Sequence, residues 1–171
     1  MTFVIRVVDN ISKWDLGSRF DPDDFVDADP IGHLKTSNNE LSVFVVDNII
    51  NIEHIVIAIA TARAGLDKFH CVIAEKTEIM EKGIAMKSSP ETGITPVDKA
   101  NKQHWNLCEL KARDLETLAK IFLINVNKKK NYFRTFNKQM VKSLVKSAIN
   151  DNTFIMKDKI NQKLINQLEK D

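Results

Sequence analysis

The chain has 171 residues, 43% apolar and 28% charged, enough to bury the core of one globular domain and too few for several. The longest uncharged apolar run, Ile55 to Ala62, falls short of the roughly 18 residues that a membrane-spanning helix needs, and the run broken by Arg6 and closed by Asp9 is too short for a signal-peptide core, so a soluble, cytoplasmic protein with no membrane partner is expected. The net charge of +2 hides an imbalance: residues 1 to 100 carry 10 Lys and Arg against 16 Asp and Glu, net −6, whereas residues 101 to 171 carry 15 against 7, net +8.

Phe3 to Val8, with β-branched residues at four of its six positions, reads as a strand. In Arg19 to Asp29, five aspartates (Asp21, Asp23, Asp24, Asp27, Asp29) raise the question of a metal. Counted as a helix-loop-helix calcium loop from Asp21, the fifth, sixth and twelfth positions are Phe25, Val26 and Gly32, which supply neither the ligands nor the turn glycine. The expectation is instead a capped turn: Asp21 as cap, Pro22 at the first helical position, Asp23 and Asp24 on the helix dipole, and a stop at Pro30 and Gly32.

Leu34 to Thr36 and Leu41 to Val46, flanking the turn formers Ser37 to Glu40, suggest a hairpin whose nearly apolar second strand lies centrally. Length and four alanines favour a buried helix from Asn51 to Gly65 over a strand. Phe69 to Glu75 reads as a strand with Gly83 to Lys87 as its partner, and the stretch SSPETGITP reads as a loop. Thr95 and Pro96 open a short helix, Trp105 to Leu110 is extended, and Asp114 caps a helix bearing Leu115, Leu118, Ala119, Phe122 and Leu123. After Lys128-Lys129-Lys130, two amphipathic helices are expected. The first presents Phe133, Phe136, Met140, Leu144 and Ala148 on one face and Lys138, Lys142 and Lys146 on the other; the second carries Met156, Ile160, Leu164 and Leu168.

This order predicts an α+β domain over residues 1–127, with a mixed or antiparallel sheet, and a basic helical extension over 128–171. A mostly parallel α/β sheet is the alternative.

No glycine-rich phosphate loop, nucleophile elbow, HExxH pair or zinc spacing is present, and no cofactor or metal is expected. Cys71 and Cys108 sit in apolar runs, as buried thiols do. The leading expectation is a non-enzymatic intracellular interaction or assembly module, meeting a protein partner or a second copy through Phe133, Phe136, Met140 and Leu144. The first alternative is non-specific nucleic-acid binding through Lys128, Lys129, Lys130, Lys138, Lys142 and Lys146. With 20 Lys to 5 Arg, the chain is poor in the residue that makes most base-edge contacts. The second alternative is a small hydrolase or transferase, should Asp29, His33, His104 and Asn106 meet as a base oriented by a carboxylate. The bland reading of this last set puts Trp105 inward and His104, on the other face, in solvent.

Overall fold

A computed structural model describes residues 1–17, 20–21, 28–63, 65–153 and 156–169. Its sheet comprises β1 (Phe3–Val8), β2 (Leu41–Val46), β3 (Phe69–Glu75), β4 (Ala85–Ser88), β5 (His104–Cys108) and β6 (Phe133–Phe136), in the order β4-β5-β2-β1-β3-β6. Every pairing is antiparallel, so the fold is α+β and the mostly parallel alternative falls. Packed with the sheet, among the described residues, are seven α-helices: α1 (Ala28–His33), α2 (Ile52–Arg63), α3 (Lys76–Met80), α4 (Asp98–Lys102), α5 (Ala112–Lys128), α6 (Lys138–Asn150) and α7 (Gln162–Glu169).

Strand alternation divides the core in two. Phe3, Ile5, Val46, Cys71 and Ile73 cluster with α2, α6 and α7, whereas Val4, Val8, Val43, Val72 and Leu107 cluster with Trp14 and α5. Trp14 is fully buried, edge-on to Phe122 at 6.0 Å. The segment after Lys128 contributes to the first of these cores: Phe136, Val141, Val145, Leu164 and Leu168 pack with Ile5 and Ile55.

Several local expectations change. The turn at Asn38 and Asn39 forms with both residues at positive φ, as a two-residue hairpin turn requires, but its first arm ends at the single bridge Ser37–Glu40 because Leu34 turns into the Trp14 core instead. β4 pairs with β5, not β3, since α3 intervenes and β3, buried on both faces for all but its last residue, lies between β1 and β6. α1 runs through Pro30 and Gly32 rather than stopping there. α4 starts at Asp98, because Thr95 is held by Asn101, whose Oδ1 accepts from the Thr95 amide at 2.9 Å and hydroxyl at 2.8 Å. Asp114 is inside α5, accepting from the Lys111 amide at 2.8 Å rather than standing before the helix. The expected caps and dipole partners Pro22, Asp23 and Asp24, together with Asp27, lie outside the described residues.

The largest change is at Phe133 to Ala148. Phe133 and Phe136 belong to the edge strand β6 and only then does the chain turn, capped by Asn137, into α6. The buried stripe of α6 is Val141, Val145 and Ala148. Lys142 adjoins that stripe and is buried, 6% exposed, rather than projecting from the opposite face; a lysine stem can lie along apolar surface in this way.

Candidate functional site

The sequence Phe-Arg-Thr-Phe alternates as a half-buried strand does, with Phe133 in the Trp14 core and Phe136 in the other. β6 therefore aligns on β3, Phe69 opposite Phe136 and Val72 opposite Phe133. The Ile73 amide donates to the Tyr132 carbonyl at 3.0 Å, which fixes the alternation of the ladder: the backbone groups of Arg134 and Phe136 turn to β3, and those of Phe133 and Thr135 turn outward. Among the described residues no backbone group pairs with that outer edge.

The turn that delivers β6 is held by a polar network. Lys129 places Nζ 2.5 Å from Glu78 Oε1 and 3.8 Å from Glu75 Oε1, and the Tyr132 hydroxyl donates to Glu75 Oε1 at 2.6 Å. Asn125, buried in α5, donates to Glu78 Oε2 at 2.8 Å. Burial alone would raise the Glu78 carboxyl, but the hydrogen bonds from Lys129, Asn125 and the Glu75 amide together carry it below its ordinary value. Burial, then the bond to Glu75, pushes the Tyr132 phenol up to about 12.

Beside this edge runs a groove of about 750 Å³. On one side its wall is the end of α5 and the turn leaving it, with Lys128 and Lys130. On the other it is the turn into α2 and the start of α6, with Ile50, Glu53 and Met140. Ile50 is 78% exposed and Met140 45%, two of the five large apolar side chains that are exposed among the described residues. Each is set by a cap: the Asn48 side chain accepts from the Ile50 amide at 3.0 Å and the Asn137 side chain from the Met140 amide at 2.8 Å.

The expected interface and lysine sets thus partly coincide. Phe133, Phe136, Met140, Lys128, Lys129 and Lys130 all line the groove. Leu144 does not; it is half-buried against the α2 side of the core. Lys138 and Lys146 are exposed on α6, Lys142 is buried, and Lys129 is ion-paired, which leaves Lys128 and Lys130 as the exposed lysines of the groove. Arg134, Ile50 and Glu53 were not anticipated. The signal for Arg134 was the two-residue alternation in Phe133 to Phe136, which a helical period obscures.

The four candidate catalytic residues separate into two pairs. Asp29 is ion-paired with Lys13, and His33 accepts at Nδ1 from the Trp14 indole N–H at 3.2 Å, both on the α5 side of the sheet. His104 and Asn106 lie on β5 opposite Phe44 and Ser42, on the other face. Asn106 donates to Glu40 at 2.6 Å. His104 is 7% exposed rather than in solvent, because Phe44 packs edge-on at 5.6 Å and the loop carrying Ser89 and Thr92 folds over it. Its Nδ1 lies 3.0 Å from the Ser89 carbonyl and 3.0 Å and 3.2 Å from the Ser89 and Thr92 hydroxyls. Trp105, on the opposite face, is half-buried under the Lys76 ammonium, 4.2 Å from the ring centre.

Among the described residues no three His, Cys, Asp or Glu side chains converge as metal ligands, and no helix is long and apolar enough to cross a membrane. Comparison of the chain with family models, with curated proteins and with solved structures finds no significant match, which leaves the residues of the groove as the guide to function.

Proposed function

We propose that the protein is a non-enzymatic interaction module that takes up an extended segment of another polypeptide along the outer edge of β6. The observation that carries this reading is the combination of outward, unpaired backbone groups at Phe133 and Thr135 with an adjoining groove that bears exposed Ile50 and Met140 on one wall and Lys128 and Lys130 on the other. An added strand makes main-chain hydrogen bonds to such an edge, while alternate side chains enter the flanking walls. Proline at 135 removes one outward donor and leaves the inward ladder intact. Peptides selected from a random library on the full chain should therefore lose binding to Thr135→Pro and keep it on Thr135→Val, which lacks the same hydroxyl bond to His70 but retains the amide. Selected peptides indifferent to both substitutions would sink the proposal.

A second reading, phosphate binding by Lys128, Lys130 and Arg134, is favoured by their shared groove. It is weaker because Phe136 is buried in one core and Phe133 is half-buried against the other, which leaves little aromatic surface for stacking. Binding of a single-stranded oligonucleotide that falls steeply with salt and ignores Thr135→Pro would favour this reading over strand addition.

A further inference from the structure

We infer that the segment received by β6 is acidic, with carboxylate and apolar side chains in alternation. The inference rests on strand addition at β6 and specifies what is added. A seventh strand would send successive side chains to opposite faces of the sheet. On the face of Phe133 and Thr135 they meet the wall formed by the end of α5, where Lys128 lies over the Phe20 ring, 5.8 Å from its centre, and Lys130 follows in the turn. Both ammonium groups belong to exposed residues, so carboxylates fit there.

On the face of Arg134 and Phe136 the added side chains meet Ile50 and Met140, whose exposed apolar surface would be covered by a residue such as valine or leucine. The charges on that wall are one of each sign, Arg134 and Glu53, and Glu53 is the groove's single acid among the described residues. A carboxylate there would meet repulsion from Glu53 as well as attraction to Arg134; an apolar residue avoids the conflict. A second copy of the chain is a poorer occupant, because two antiparallel β6 strands centred on Arg134 would set one Arg134 against the other, with no acid in β6 to offset them.

Fluorescence anisotropy on the full chain tests this with a labelled peptide alternating glutamate and valine. The comparison probes are the same alternation with threonine or lysine for glutamate, a peptide of the same composition with glutamates and valines in separate blocks, and a single-stranded oligonucleotide. The glutamate–valine alternation should bind about tenfold tighter than the threonine version, within the worth of two exposed ion pairs, to Lys128 and Lys130. It should also beat the block arrangement, lose binding on Thr135→Pro and weaken about tenfold on combined Lys128→Glu and Lys130→Glu. That double substitution lies on exposed positions and keeps the test decisive should the proline variant not fold.

Equal binding of the threonine version, still abolished by Thr135→Pro, overturns the acidic partner and leaves strand addition standing. Equal binding of the block peptide overturns the alternation. If no peptide binds, or none responds to Thr135→Pro in a folded variant, strand addition fails and the inference with it. Preference for the oligonucleotide, displacing the peptide, overturns the inference in favour of nucleic acid.

Discussion

At Glu78 three donors converge on one carboxylate, from an ammonium, an amide side chain and a backbone N–H, and each positions a different element: the turn before β6, α5 and the start of α3. Such charge-assisted bonds are stronger than neutral ones, and leaving their donors half-satisfied is costly. Glu78→Gln keeps the shape but not the charge, and should destabilise the fold by about 1–3 kcal/mol in urea unfolding at neutral pH. The pH dependence has a definite sign. Because the folded Glu78 carboxyl lies below its ordinary 4.5, its contribution is complete above that pH and is lost as pH falls through the lower folded value. The urea midpoints of wild type and variant should therefore converge in acid; a gap that is constant with pH would show that the charge of Glu78 has no part in stability.

Elements were legible in proportion to how local their causes are. β1, β2, β3 and the α2 region follow from β-branched runs, alanine content and flanking turn residues within the segment itself. β6 did not, because Phe133, Phe136 and Met140 recur at intervals of three and four as well as fitting a short alternation, and only the free edge of β3, 61 positions earlier at Val72, selects the strand. The candidate site was half legible for the same reason: Lys128, Lys130, Phe133 and Met140 could be named from charge and apolarity, but Ile50 and Glu53 reach the groove through the ordering of the sheet. Of the stripe Met156, Ile160, Leu164 and Leu168, read from spacing alone, Leu164 and Leu168 are buried in α7, whereas Met156 and Ile160 precede that helix. Leu164 is fully buried against the α2 side of the core, so Leu164→Ala should cost about 2–5 kcal/mol by chemical denaturation. A loss under about 0.5 kcal/mol, the range of surface changes, would mean that α7 does not dock.

For the whole molecule the consequence of β6 is that a chain ending near residue 127 lacks both a strand of the sheet and the α6–α7 cover over Ile5, Ile55 and Ile73. Deleting residues 128–171 should give an aggregating, poorly folded product by light scattering and circular dichroism, since β3 would become a bare, apolar edge. A folded, soluble monomer would instead identify residues 1–127 as a self-sufficient domain.

The placement of β6 also imposes an order of events on a chain made from its amino terminus. β1, β2 and β3 are synthesised long before the residues that flank β3 on its far side, and throughout that interval the apolar strand has one edge open to any other nascent chain nearby. Closure by β6 must wait until residues 133 to 136 are made, more than 50 positions after β3, and spans a long loop, which is entropically slow. Slowing translation ahead of residue 133 lengthens this exposure, whereas a chaperone that occupies the edge of β3 shortens it.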